Sequence, residues 1–192
     1  MGDDLGAKRG EVHDEAARVL HFWFEELSEE QHWVKSITLD EAIAERFGPL
    51  RLNVIESVAR GWRGTPDTLL AAIILIDQFS RNMFRDEGEA FEHDGLAREL
   101  TLYGLVRGFD RKLPADRCAF LYMPLMHAED PELQRLSIER FTALGDEQNL
   151  GFAHDHAAVI ERFGRFPSRN RALGRRSTVI EREYLSQPGV GW

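Results

Sequence analysis

Apolar residues return at every third or fourth position along most of the chain, the spacing that gathers them on one side of an α-helix. Ala16, Val19, Leu20, Trp23 and Phe24 form the first stripe from Val12 onward, and Phe22 adds bulk to it. Phe22-Trp23-Phe24 reads as a packing plug rather than a stacking platform, because aromatic rings of this size gain most by leaving water. Ser28 to Ile37 is a connection carrying His32 and Trp33. Thr38-Leu39-Asp40-Glu41 has the form of a capping box, with Thr38 accepting from the Glu41 N–H and Glu41 reaching back. Ile43, Phe47, Leu50, Val54 and Val58 make the next stripe. Gly48-Pro49 lies inside it, and Pro49 has no N–H for the Glu45 carbonyl, so a kink or break is expected there.

Thr65-Pro66 predicts a helix start, with Thr65 as N-cap and Pro66 at the first helical position. The segment from Pro66 to about Phe84 is apolar nearly all round and is expected to be the central buried helix. Asp77 and Arg81 share its Leu70–Ile73–Phe84 face, which makes them a buried pair four residues apart. Gln78 and Asn82 form a second polar pair beside them. A charge on such a helix needs a partner, since isolated burial costs on the order of several kcal/mol.

Asp86 to Gly95 is a polar turn, with Asp94 read as N-cap of a helix from Gly95 to about Val106. Pro114 opens another helix, and Pro124 is expected to bend it just before His127-Ala128-Glu129-Asp130. Asp130-Pro131 starts a further helix that Gly145 ends. A helix from about Leu150 carries His156 and stops at Gly164. Arg165-Phe166-Pro167 is expected to be extended or turned. Ser168 is read as the cap of one short turn, and Thr178 with Glu181 as a capping box for the last helix. No stretch alternates with period two, and no internal repeat is present. The expected fold is all-α, about eight or nine helices packed as helical hairpins. It would span residues 11–186 as one domain, between an arm over 1–10 and a loose tail over 187–192.

Composition narrows the partners. The 192 residues carry a formal charge of −9 and a pI near 5.3. This argues against nucleic acid or an anionic membrane surface as a partner. Leu69 to Ile76 is the longest apolar run and is too short to span a bilayer. Cys118 is the one cysteine, which rules out an internal disulfide or a cysteine zinc site and suits a reducing cytoplasm. Met1 to Gly10 has no apolar core of a secretory signal, so a cytoplasmic location is expected. Against this acidic background, His154 to Arg176 holds six arginines with only Asp155 and Glu161 opposing them. Such an insert is either matched by carboxylates or used to hold an anion.

Four motifs together resemble a known family. They are Phe22-Trp23-Phe24, Leu75-Ile76-Asp77-Gln78-Phe79-Ser80-Arg81-Asn82, Pro124-Leu125-Met126-His127-Ala128-Glu129-Asp130, and Arg162-Phe163-Gly164-Arg165-Phe166-Pro167-Ser168-Arg169-Asn170. Leu173-Gly174-Arg175 and Ser177-Thr178 also fit. From about Val19 to Leu185 the chain resembles the bacterial family catalogued as domain of unknown function 924. The resemblance implies an all-helical fold similar to tetratricopeptide-repeat proteins without regular repeats, and it implies no established activity. The chain departs from the family pattern at Ser80, where Pro is usual, at Ala128, where Ser is usual, at Ser168, where His is usual, and at Val34, where Phe is usual.

The motifs offer one polar constellation. Asp77, Gln78, Arg81, Asn82, His156, Arg162, Arg165, Arg169 and Asn170 would line a pocket for a small anionic metabolite or a peptide carboxylate, because arginine forks bind planar oxyanions. In an enzyme, His127 or Glu129 would be its acid or base. The competing reading is a buried ion-pair network in which Asp77 and Glu129 neutralise Arg81 and Arg165. A third is a scaffold whose grooves dock partner helices. No metal or cofactor is called for: His154 and His156 stand about 200° apart on a helix and cannot chelate together. Ser80, Ser168 and Cys118 lack the spacing of an activated nucleophile, and Cys118 reads as an inert core thiol. His13, His21, His32 and His93 read as surface or helix-face residues.

Overall fold

A computed structural model describes residues 3–190, with side chains from Gly10 onward. Eight α-helices follow one another: α1 Asp3–His21, α2 Ile37–Glu56, α3 Pro66–Met83, α4 Asp94–Val106, α5 Ala115–Met126, α6 Pro131–Leu144, α7 Glu147–Phe163 and α8 Val179–Leu185. Short 3-10 turns join several of them, and no strand occurs among the described residues. No described helix is long and apolar enough to cross a membrane.

The all-helical expectation holds, and α3 lies at its centre. Leu69 through Ile76 and Phe79 are all enclosed, and α3 packs against α1, α2, α4 and α5. Helix α5 then passes the packing on to α6 and α7. Gly104 of α4 allows the α3–α4 approach: a Cβ there would stand 2.8 Å from Leu69 Cδ2. Phe22 and Trp23 are buried as expected, on a π-helical turn, Phe22–Glu26, that extends α1. Phe22 meets Phe47 and Phe79 at 5.1 and 5.9 Å between centroids. His32, expected as a surface or helix-face residue, is half-buried, stacks on Trp23 at 4.4 Å and donates from Nε2 to the Trp23 carbonyl.

Several local expectations need correction. Helix α1 starts at Asp3 rather than near Val12, so most of the arm expected over 1–10 continues the helix; Ala7, Lys8 and Arg9 are good helix formers. Met1 and Gly2 lie outside the described residues. Helix α2 is capped by Ser36, which accepts from Leu39 N, and not by Thr38. Thr38 stands inside the first turn instead, and Asp40 is engaged by Asn82 of α3 and by Arg85 just beyond that helix. Helix α2 also runs on through Pro49 without a break; Pro49 and Glu45 are both exposed, so water can serve the carbonyl left without a donor. Helix α7 begins at Glu147, three residues early, because Asp146 caps it. Ser168 is not a cap; Phe166 precedes that short turn.

Other signals operate as read. Thr65 and Asp130 cap α3 and α6, and Gly164 ends α7 with φ near 69°, a conformation that favours glycine. Thr178 and Glu181 form the expected capping box. Thr178→Ala should lower stability by about 1 kcal/mol in urea unfolding. An unchanged unfolding midpoint would mean that the box does not hold α8 in solution.

Candidate functional site

Asp77 sits near the C-terminal end of α3 with 1% of its surface exposed. Three side chains converge on its carboxylate. His127, the residue that caps α5, donates from Nδ1 to Oδ1 at 2.9 Å. Arg81, one turn further along α3, meets the same oxygen at 2.9 Å. Gln78 donates to Oδ2. Burial alone would raise the Asp77 carboxyl, but Arg81 and His127 outweigh it and hold the group well below the usual carboxylate range. The predicted Asp77–Arg81 pair is therefore real.

Its continuation was not predicted. Arg81 also forms a bidentate pair with Asp94, 3.0 Å on each side. Asp94 is the first residue of α4 and not its N-cap; His93 precedes it. Its carboxylate is thereby free for arginines, and it takes a second one, Arg169, at 3.3 Å. Two acids and two arginines so form a chain with no net charge: Asp77, Arg81, Asp94, Arg169.

Arg169 comes from the 3-10 turn Pro167–Arg169 after α7. Its guanidinium lies over Phe166 at 4.4 Å and over Phe91 at 4.7 Å. Its side chain keeps 11% of its exposure, and Asp94 is its one hydrogen-bond partner among the described residues. Burial, reinforced by neighbouring Arg81, lowers this arginine to about 10. His156 of α7 stands 6.1 Å from His127 between ring centroids and 5.4 Å from Phe166. It donates from Nδ1 to the Phe152 carbonyl, and burial lowers it to about 3. Burial also lowers His127, with the Asp77 charge working against it.

The turn at His127 is held from behind. Gln134 of α6 is enclosed and donates from Nε2 to the carbonyls of Met126 and Ala128, 2.7 Å each. These are the residues on either side of His127, so its ring direction is fixed by backbone as well as by Asp77.

The remaining predicted residues belong elsewhere. Glu129, a candidate acid or base, is fully engaged: Arg175 holds both oxygens at 2.7 and 2.9 Å, and the Phe166 N–H donates to Oε1 at 2.8 Å. Arg165 pairs with Glu181, not with Glu129, at 2.7 and 2.8 Å, and holds that carboxyl down to about 2. Asn170 is buried and donates to Ser177. Arg162 is exposed and lies over Phe163 and Tyr184. Asn82 faces α2 and donates to Asp40. Glu129, Arg165 and Asn170 are thus a frame that folds the segment after Gly164 back on the bundle and delivers Arg169. Of the eleven candidate side chains, the structure gathers Asp77, Gln78, Arg81, His127, His156 and Arg169. Asp94, Phe91 and Gln134 are the members that sequence reasoning missed.

Fold and site together define an all-helical protein with a His–Asp pair and a half-matched arginine at the junction of α3, α5 and the segment after α7. The chain belongs to the family described as bacterial protein of unknown function (DUF924), whose profile matches residues 19–189. A solved structure of a protein of unknown function from Agrobacterium tumefaciens, ATU0120, is similar to it. The two share 33% identity and a TM-score of 0.85, over 89% of this chain and 96% of that one. No curated protein matches the chain.

Proposed function

We propose that the protein binds a small anion, a carboxylate or phosphate group of a metabolite, at Arg169 beside His127. The observation that supports this is the state of Arg169. A nearly enclosed guanidinium normally saturates its fork of donors, and this one has a single 3.3 Å bond to a carboxylate it shares with Arg81. An arriving oxyanion would complete its partners and offset the burial that now weakens the cation. His127 Nε2 lies on the other side of the ring from Asp77. With Nδ1–H committed to the carboxylate, Nε2 is an acceptor in the neutral ring and a donor once protonated.

A thermal-shift titration at low salt with phosphate, citrate, malonate and acetate tests this reading. An anion at about a hundred times its Kd adds about 2.7 kcal/mol, which for a chain of this size is a shift of roughly 5–11 °C. Arg169→Gln, which keeps polarity and much of the length, should abolish that shift. If no anion stabilises the wild type, or if Arg169→Gln responds equally, the proposal fails.

A second reading rests on the 2.9 Å Asp77–His127 bond: an enzyme in which His127 acts as acid or base on the same bound anion. It differs by one result. His127→Gln would leave anion binding within a few-fold and remove turnover.

A further inference from the structure

We propose a second ligand site, remote from the first in its residues, that takes a free α-amino acid with an apolar side chain. It is a cavity of about 470 Å3 between α4, the 3-10 turn Asp110–Lys112, α5 and α6. This size falls in the range of small-molecule sites.

Its lining holds two opposite charges left incomplete. Asp110 Oδ1 is buried with no hydrogen-bond partner among the described residues. Its other oxygen accepts from the Tyr122 hydroxyl at 3.3 Å, which fixes the carboxylate plane. Arg140 of α6 has Nε buried and equally without a partner; its outer nitrogen makes only a 3.4 Å contact with the exposed Glu139. Arg111 joins the lining, and no ion pair engages it among the described residues. It lies close over Gly108, where a Cβ would come within 2.5 Å of its guanidinium. The rest of the wall is Leu105, Ala143 and Leu144.

Buried polar groups are seldom left unpaired, and each that is calls for an explanation. Here one ligand would satisfy both ends. Asp110 asks for a cationic donor, Arg140 and Arg111 for an anionic acceptor, and the wall for an aliphatic body between them. An ammonium and a carboxylate on one carbon that also carries an apolar side chain have that pattern. A simple amine would leave the arginines unmatched, and a simple carboxylate would leave Asp110 unmatched.

Cys118 lines the same cavity and is the chain's one cysteine, so it reports on this place alone. The experiment titrates the full chain with L-leucine, L-valine and L-methionine by calorimetry. In parallel it follows the rate at which methyl methanethiosulfonate labels Cys118. N-acetyl-leucine, 3-methylbutylamine and 4-methylpentanoate serve as probes lacking one charge, compared with the amino acids on the Arg169→Gln background so that the carboxylate binding proposed at Arg169 does not register. The expected result is saturable binding of at least one free amino acid, with Cys118 labelling slowed about tenfold, and binding at least about tenfold weaker for all three half-probes. Asp110→Asn and Arg140→Gln should each weaken binding by a similar factor, while Arg169→Gln leaves it unchanged. Two conservative variants are used so that failure of one to fold does not remove the test. The proposal is overturned if none of the amino acids binds by roughly 10 mM, if bound amino acid leaves Cys118 labelling unchanged, or if the half-probes bind as well as the amino acid.

Discussion

Asp77→Asn should destabilise the protein by about 3 kcal/mol, a fall in melting temperature of roughly 6–12 °C. The side chain keeps its shape, so the loss isolates the charge. In the wild type the carboxylate is enclosed and shared by His127, Arg81 and Gln78. The amide would present N–H groups where donors already point. Arg81 would retain Asp94 as a bidentate partner, which is why the expected loss lies at the low end for a broken buried pair. The sign with pH is definite. The Asp77 carboxyl is depressed by folding, so its contribution is complete above the carboxylate's unfolded pKa and disappears as pH falls through the folded value. Urea unfolding at neutral pH is the measurement. A variant within about 0.5 kcal/mol of wild type would mean that Asp77 does not carry its charge in the fold.

Stability should also fall steeply on mild acidification, before most carboxylates titrate. His156 is buried neutral, with a folded value of about 3 against 6.5 for the free imidazole. Below pH 6.5 the unfolded chain takes up a proton that the folded chain refuses, so stability drops as pH falls from 6.5 towards 3 and levels off beneath. One such group contributes about 1.4 kcal/mol per pH unit within the window. His127 is lowered in the same direction and steepens the slope. Urea midpoints at pH 7.5, 6.5, 5.5 and 4.5 would show it, beside His156→Gln. A flat profile from pH 7 to 5, or an equal slope in the variant, would contradict the burial of a neutral ring.

The sequence carried the helical frame in its local signals. Thr65-Pro66, Asp130-Pro131, Gly145, Gly164 and Thr178 with Glu181 each specify a terminus within a few residues, and each acts where it stands. The burial of Asp77 and its pairing with Arg81 were likewise legible, since the two lie four residues apart on a helix apolar almost all round. Partner choice was not. Arg81 and Asp94 are 13 positions apart and Glu129 and Arg175 are 46 apart, and no periodicity connects them. Six arginines in one stretch look alike until the turn after Gly164 gives each a direction. One faces Asp94, one Glu129, one Glu181 and one an aromatic pair. An acidic residue at a helix start also has two uses, and Asp94 serves as an ion-pair partner where a cap was the simpler reading.

The pairing of Glu129 with Arg175 has a consequence for the order of assembly. During synthesis the histidine, its carboxylate and Asp94 emerge well before Arg169, and the clamp that draws Arg169 in closes only when Arg175 has followed. A nascent chain halted near Gly164 would hold an Asp–Arg–Asp group with excess negative charge, without the Arg169 at which an anion is proposed to bind. The anion binding proposed at Arg169 would thus be deferred until the rest of the molecule is already in place.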